Sequence, residues 1–297
     1  MRTGVRKSIL QGFRLIPALP ILTELFPRFR NCASPLSELF IFYFWDLISE
    51  LQGRAIILYQ MGRVGSLTIQ DSLGALKIPA YSVHALVQRD PCWIISSPDS
   101  RWRSIYLKKH LEEGFNSRKL KVITLIREPV ARNVSDFFLR TFTLKTLNLP
   151  MHKEISLESL KTYFLENFPH NVTLNWFDVE LKQMIGLDVY SVPFPKIKGY
   201  KIYKGGDIHP DVLLLKLEKL NECASRAFKE FLGIDQFILQ SKNLASNRIY
   251  YPIYKKFIST KILPQSYIEK MYASKYAKHF YTDDELNKFR EKWRYTH

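Results

Sequence analysis

Residues 60 to 68 have the composition of an anion-binding turn. The segment reads QMGRVGSLT and follows the apolar run RAIILYQ, from Arg54 to Gln60. Glycines allow backbone N–H groups to converge on an anion, and the N-terminus of a following helix adds a favourable dipole. The turn differs from the magnesium-dependent loop GxxxxGK[ST], because its cation, Arg63, precedes the second glycine. We therefore predict a phosphate cradle here.

A second cation follows another apolar run. Arg127 comes directly after KVITLI, from Lys121 to Ile126, and precedes Glu128 and Pro129. A strand end without an aspartate offers no ligand for the magnesium ion of phosphoryl transfer. The two strand ends therefore favour chemistry on an anion without a metal.

The pattern around these turns predicts alternating strands and helices. Apolar runs predict strands at Arg54 to Gln60, Ala80 to Leu86 and Lys121 to Ile126, with a basic helix from Ser100 to Leu120 and another helix from Pro129. In such sheets ligands bind beyond the carboxyl ends of the strands. We predict an α/β fold: a P-loop-like three-layer sandwich, with a parallel sheet flanked by helices and a helical C-terminal extension.

Further elements are predicted downstream from local patterns: a helix from Asn171 to Ile185, two strands between Tyr200 and Glu218, and a helix from Asn221 to Leu232. Thr282 and Glu285 have the spacing of a capping box at the start of a last helix. We divide the chain into an N-terminal segment, residues 1–52, and one enzyme-sized domain, residues 53–297, whose helical C-terminal part begins near residue 243.

Composition narrows the class of partner. The formal net charge of +16 predicts an anionic partner, such as a nucleotide, an acidic polysaccharide or a lipid surface. Lysine and arginine are spread along the chain, and no helix-turn-helix, zinc finger or RNA-binding signature is visible, so nucleic acid is not expected.

The cysteines and the N-terminal residues indicate the cellular compartment of the protein. The three cysteines have no metal-binding spacing and fit a reducing compartment, and no small-residue cleavage site follows the first thirty residues. We expect a cytoplasmic protein. The run LFIFYFWDLI, residues 39–48, is too short to span a membrane and fits either a buried helix or a helix lying on a membrane surface.

The order of the motifs resembles the sulfotransferase superfamily, which has a cation-x-Gly-Ser/Thr turn after the first strand, Arg-x-Pro after a later strand and a serine on the next helix. More narrowly, YQMGRVGS, TLIREPVARNVSDFF, NWFDVEL and the aromatic C-terminus resemble a bacterial capsular polysaccharide synthesis family of sulfotransferase-like proteins. The resemblance runs from about Arg54 onward. It implies metal-independent transfer of a sulfuryl group from 3′-phosphoadenosine 5′-phosphosulfate (PAPS) to a hydroxyl, with a surface or capsular glycan as the acceptor.

The resemblance also implies roles at matching positions. The cradle for the 5′-phosphosulfate would consist of Arg63, Val64, Gly65, Ser66, Leu67 and Thr68. Arg127 and Ser135 would bind the 3′-phosphate, and their spacing allows a helical hydroxyl to face the strand-end guanidinium across one phosphate. As alternatives, Arg127 could pair with Glu128 or Asp136, and Ser135 could lie on an exposed helix face.

Two side chains are candidates for the chemical step. The family usually has lysine where Arg63 stands, and in the superfamily that lysine stabilises the bridging oxygen of the departing nucleotide; arginine can donate there too, but its planar fork is aimed differently. His84, at the end of the second strand, has an imidazole suited to accept the acceptor's proton, and it resembles the catalytic histidine of some carbohydrate sulfotransferases. A structural role for His84 remains open, with Glu128 and His110 as rival bases.

A late segment could complete the nucleotide site. Asn243 to Lys256 reads NLASNRIYYPIYKK in a loop-like context and carries Arg248 and Tyr250, and in sulfotransferases a basic segment commonly covers the adenosine here. Aromatic stacking on a purine and cation contact with the 3′-phosphate would explain the mixture. The alternative is a helical layer that uses tyrosines as core residues. Trp176 and Phe177 are expected only to pack.

Two other functions remain open. A nucleotide-dependent kinase would need a magnesium ligand that the motifs do not supply. A non-catalytic protein that keeps the anion pocket is favoured by the arginine at residue 63.

Overall fold

A computed structural model describes residues 56–87, 108, 120–144, 156–206, 209–240 and 248–294. Several predictions lie outside these residues: the N-terminal segment 1–52 with its apolar run, the candidate base His110, and the helix from Ser100 to Leu120 apart from Lys108 and Leu120. The predicted domain boundary at residue 52 also falls there and stays a prediction.

Five strands form one mixed sheet in the order β2-β1-β3-β5-β4. Their bounds are β1 Ile56–Tyr59, β2 Ala80–Val83, β3 Lys121–Ile126, β4 Tyr200–Tyr203 and β5 Asp211–Lys216. β1, β2, β3 and β5 are parallel, as predicted, whereas β4 pairs antiparallel with β5. The short connection at Gly205-Gly206 explains this exception, because a hairpin can join only antiparallel strands.

The helices flank this sheet. Their bounds are α1 Ser66–Ala75, α2 Pro129–Leu139, α3 Leu157–Asn167, α4 Val172–Trp176, α5 Lys182–Ile185, α6 Leu220–Leu232, α7 Tyr251–Ser259, α8 Gln265–Tyr272, α9 Lys275–Phe280 and α10 Asp283–Trp293. The α/β fold with C-terminal helices is therefore confirmed. The sheet is covered on both faces, since β1 and residues 122–126 of β3 are buried throughout.

The position of β1 in the sheet defines where a ligand can bind. β1 and β3 are neighbours in the sheet: the chain leaves β1 towards β2 on one side, and after β3 it continues to β4 and β5 on the other side. Adjacent loops that leave in opposite directions open a crevice at the carboxyl ends of the strands. The turns that follow β1 and β3 meet at this crevice.

Two local predictions need correction. The single helix expected from Asn171 to Ile185 is interrupted, because a π-helical turn at Phe177–Leu181 separates α4 from α5. Such turns insert one residue and often occur at functional sites. The loop-like context expected up to Lys256 is wrong from Tyr251 onward, where α7 begins with Pro252 in its first turn.

The capping box at the start of α10 is confirmed. The Thr282 hydroxyl accepts a hydrogen bond from the Glu285 backbone N–H at 3.2 Å, and the Glu285 carboxylate accepts one from the Thr282 N–H at 2.9 Å. No helix within the described ranges is both long and apolar enough to cross a membrane.

Candidate functional site

The turn after β1 has the backbone of a cradle. Arg63 and Gly65 adopt positive φ values of 71° and 91°, and Gly65 is the N-cap of α1 without a side-chain cap. The backbone conformation at residue 65 favours glycine, and a Cβ there would also come within 2.6 Å of a terminal methyl group of Leu217, which would have to shift. The first N–H groups of α1 are thus left to water or an anion.

Two arginines hold this turn from α2 and from the end of β3. Arg132 Nε donates to the Gly62 carbonyl at 3.0 Å, and Arg127 Nη1 donates to the Arg63 carbonyl at 3.1 Å. A non-glycine residue in the left-handed region costs roughly 1–3 kcal/mol, and the surrounding bonds must offset that cost. The two donors therefore stabilise the strained turn at Arg63.

The Arg63 side chain crosses the crevice towards α2. Its Nε donates to Ser135 Oγ at 2.9 Å. Burial lowers the pKa of Arg63, and the nearby positive charges of Arg127 and Arg248 lower it further, whereas Tyr250 and Asp136 raise it. Guanidinium groups titrate so high that the side chain stays charged at neutral pH.

The structure brings Arg63, Arg127 and Ser135 together, but their contacts differ from the expected pairing of Ser135 with Arg127. The hydroxyl of Ser135 contacts Arg63, and Arg127 joins the group through the Arg63 carbonyl. The Ser135 side chain is buried, so the alternative of an exposed helix face is wrong.

The alternative pairing of Arg127 is also wrong within the described residues. Asp136 instead accepts from Arg140 Nε at 2.8 Å and lies 3.3 Å from Arg132 Nη2. Glu128 is buried and accepts from the Ala131 N–H and from Trp293 Nε1. Glu128 therefore caps α2 and anchors α10, and it is not placed to serve as the rival base.

Arg248 and Tyr250 lie close enough to Arg63 to shift its pKa. The Tyr250 ring packs 6.0 Å from the rings of Phe138 and Phe142, which favours the alternative that it is a core residue. Its hydroxyl is buried and has no hydrogen-bond partner among the described residues. We call Arg63, Arg127 and Arg248 the arginine cluster; none of the three forms an ion pair with a carboxylate in the described part of the chain.

The remaining cradle residues contribute differently. Val64 is part of the hydrophobic core, and Leu67 is 42% exposed, so these two could offer a ligand only backbone groups. Ser66, at the start of α1, is buried, and the Thr68 carbonyl accepts a hydrogen bond from Ser72 Oγ. The hydroxyls of Ser66 and Thr68 are thus the side-chain groups that α1 itself can add.

His84 follows β2 and is exposed. Its Nδ1 lies 3.1 Å from the Gln60 carbonyl oxygen and 3.5 Å from the Gln60 side-chain amide. A carbonyl can only accept, so the shorter contact assigns the proton of the neutral ring to Nδ1 and leaves Nε2 as the basic nitrogen. The ring is therefore oriented from the end of β1, three residues before Arg63.

Sequence reasoning missed the residues that hold the His84 segment. Trp176 Nε1 donates to the His84 carbonyl at 2.9 Å, so Trp176 does more than pack. The buried Glu180 carboxylate accepts from Tyr59 Oη and from the Leu86 and Val87 N–H groups, at 2.6, 2.6 and 3.1 Å. The sequence signal for Glu180 was an acidic residue on an otherwise apolar helix face. The π-helical turn that places this residue could not be predicted from the sequence.

Within the described residues, no cluster of three or more histidine, cysteine, aspartate or glutamate side chains could hold a metal ion. The basic groups that face the crevice are suited to anionic oxygens.

A family model described as "putative capsular polysaccharide synthesis protein" matches residues 146–282. No curated protein and no solved structure matches the chain significantly. The matched range contains Trp176, Glu180, Arg248 and Tyr250, and it begins after the cradle, His84 and Arg127. The chain is thus similar to this family over residues 146–282, which include the helices behind His84 and most of the C-terminal helices but not the strands that carry the cradle and Arg127.

Proposed function

We propose that this protein transfers a sulfuryl group from PAPS to a hydroxyl group of a glycan, with a surface or capsular polysaccharide as the acceptor. The description of the matching family supports a function in glycan biosynthesis. The motif order around the cradle supports sulfuryl transfer as the reaction.

The arginine cluster is the observation that carries the proposal. Arg63 and Arg127 meet at the carboxyl edge of the sheet, and Arg248 lies near enough to lower the pKa of Arg63. None of the three has a carboxylate partner among the described residues, and the buried Tyr250 hydroxyl also has no partner there. The three arginine side chains are half-buried, whereas the Tyr250 hydroxyl is buried, and a buried polar group normally has a hydrogen-bond partner. A ligand with several anionic oxygens would supply the missing acceptors.

A nucleotide with phosphate groups at both ends of its ribose fits this arrangement. The cradle and the dipole of α1 would hold the 5′-phosphosulfate, and Arg127 with Ser135 and Arg248 would hold the 3′-phosphate. Arg63 would lie between the two groups, because its backbone belongs to the cradle and its side chain reaches Ser135.

The chemical step would need a base and a stabilised leaving group. The acceptor hydroxyl attacks sulfur in line, a new O–S bond forms, and the bond from sulfur to the 5′-phosphate oxygen breaks. His84 Nε2 accepts the hydroxyl proton, and the cradle N–H groups with Arg63 stabilise the negative charge that develops on the departing nucleotide. The products are a sulfated glycan and 3′-phosphoadenosine 5′-phosphate (PAP).

A non-catalytic anion-binding protein is the second candidate. It is favoured by one observation, that the Arg63 Nε donates to Ser135 at a position where the family that the motifs resemble usually has a lysine. A planar guanidinium tied to α2 has less freedom to follow a bridging oxygen than an ammonium group has.

Transfer from PAPS labelled in its sulfuryl group to a panel of unsulfated polysaccharides tests the proposal. We expect transfer that is unaffected by chelation of divalent ions, and His84→Gln should lower the rate by roughly 10²–10⁴-fold while PAP still binds. His209→Gln, which replaces an exposed histidine before β5, is the matched control and should not change the rate. PAP binding without transfer to any acceptor would favour the second candidate, and magnesium-dependent turnover of ATP would overturn both.

A further inference from the structure

The backbone of Arg127 is held by a side chain from the far end of the sequence. The hydroxyl of Tyr276, on α9, accepts a hydrogen bond from the Arg127 N–H at 3.2 Å and donates one to the Arg127 carbonyl at 2.9 Å. Tyr276 is 0% exposed. Because β3 ends at Ile126, this hydroxyl satisfies both main-chain polar groups of the residue that leaves the sheet.

The next peptide is fixed from the same direction. The Glu128 N–H donates to Glu218 Oε1 at 2.7 Å, and Tyr281 Oη donates to Glu218 Oε2 at 3.1 Å. Glu218 itself follows β5 in a short 3₁₀ turn. Side chains from outside β3 therefore define the path of the backbone at Arg127 and Glu128.

The direction of the Arg127 side chain depends on this path. Its guanidinium reaches the Arg63 carbonyl at 3.1 Å, and a small rotation of the backbone at the strand end would move it away from the turn. Tyr276 cannot touch a ligand itself, because it is completely buried. Any effect of its hydroxyl on ligand binding must therefore pass through Arg127.

We propose that Tyr276 is a positioning residue that aims Arg127 at the 3′-phosphate of the nucleotide, supported by Glu218 and Tyr281. This inference rests on the proposed function, because it assigns that phosphate to Arg127. Because Tyr276 lies on α9, this role would make a C-terminal helix part of the support of the anion site. The Tyr276 side chain itself is buried and would not contact the ligand.

Calorimetric titrations with PAP and with AMP, which lacks the 3′-phosphate, test the proposal in the full chain. Tyr276→Phe keeps the buried ring and removes both hydrogen bonds. We expect it to weaken PAP binding about tenfold and AMP binding by no more than about twofold, because the 3′-phosphate loses its direct partner whereas the cradle loses only the support that Arg127 gives to the Arg63 carbonyl. In the Arg127→Ala background the same change should have no further effect on PAP binding.

Two other variants complete the design. Tyr203→Phe removes a buried hydroxyl that donates to the Val189 carbonyl, far in sequence from Arg127, and should leave both affinities unchanged. If Tyr276→Phe does not fold, Tyr281→Phe, which removes one support of Glu218, should weaken PAP binding a few-fold and AMP binding less than PAP binding.

The possible failures can be told apart. Equal losses for PAP and AMP, or effects of Tyr276→Phe and Arg127→Ala that simply add, would overturn the positioning role while leaving the proposed function intact. If Arg127→Ala alone left PAP binding unchanged, the assignment of the 3′-phosphate would fall, and the positioning role with it.

Discussion

The two edges of the sheet balance positive charge in different ways. At the amino edge, Lys121 begins β3 and Asp211 begins β5, and the two are neighbours in the register with Nζ and Oδ2 at 2.7 Å. At the carboxyl edge of the same sheet, the arginine cluster meets without a carboxylate partner among the described residues. The cation at the amino edge is paired within the fold, whereas the arginine cluster at the carboxyl edge has no carboxylate partner among the described residues.

Another cation at the carboxyl edge does have a carboxylate partner, so the position in the sheet does not by itself decide whether a cation is paired. Lys216, at the end of β5, is buried and lies 2.9 Å from the carboxylate of Glu285. Burial lowers the pKa of Lys216, and the hydrogen bond to Glu285 opposes that effect. The fold therefore can pair a cation at this edge, as it does for Lys216.

The largest loss of stability is expected from breaking a buried ion pair. Asp136 contacts both Arg132 and Arg140 inside the protein. Asp136→Asn should lower the free energy of unfolding by about 3–5 kcal/mol, because two buried guanidinium groups lose a charged partner. Urea denaturation measures the loss. Asp235→Asn, in the exposed pair with Lys229, is the control and should not move the midpoint. A midpoint equally unmoved by Asp136→Asn would contradict the distinction between structural and ligand-binding cations.

A smaller loss of stability, which depends on pH, is expected when the carboxylate at the amino edge is removed. Burial alone would raise the pKa of Asp211, but hydrogen bonds from Lys121, Lys204 and the Gly205 N–H outweigh it and bring the pKa down to about 2. A depressed carboxyl pKa stabilises the folded state above the unfolded pKa near 4, and this contribution disappears as the pH falls through the folded value.

Asp211→Asn should therefore cost about 2 kcal/mol at neutral pH and almost nothing near pH 2. Thermal melts of both proteins across this pH range measure the difference. PAP affinity should stay the same, because the substitution is at the opposite edge. A loss of affinity comparable to the loss of stability would show that the two edges are not independent.

The smallest effect is expected within the crevice. Ser135→Ala removes the acceptor of the Arg63 Nε and should weaken PAP binding about fivefold, with little change in stability. Ser72→Ala, which removes a hydroxyl on α1 that bonds to the Thr68 carbonyl and the Gln240 N–H, is the control, and its effect should fall on stability. Unchanged PAP binding in Ser135→Ala would confine the serine to a structural role.

The sequence predicted the elements whose signal is local. The bounds of β3 match the apolar run from Lys121 to Ile126, and the capping box at Thr282 is present as expected. The spacing of glycine and arginine after β1 identified the turn. In each case the determining interactions lie within a few residues of one another, so a pattern can reveal them.

What the sequence did not reveal depends on contacts between distant segments. The π turn at Phe177–Leu181 places Glu180 against Tyr59 and the residues after β2, and Tyr276 reaches Arg127 across 149 residues. Buried tyrosines and a single glutamate in a helix have no local signature of such roles. The same limit explains why the sequence left two interpretations of Tyr250 open, stacking on a purine or packing as a core residue; its ring lies 6.0 Å from the rings of Phe138 and Phe142.

Calorimetric titration of the protein with PAP, with and without magnesium, tests the central claim most directly. The unbalanced arginine cluster predicts micromolar binding that is unaffected by the metal and is weakened when either the 3′-phosphate or the 5′-phosphate is removed from the nucleotide. Absence of PAP binding, or tighter binding of magnesium-ATP than of PAP, would contradict the claim that these cations await a nucleotide with phosphates at both positions.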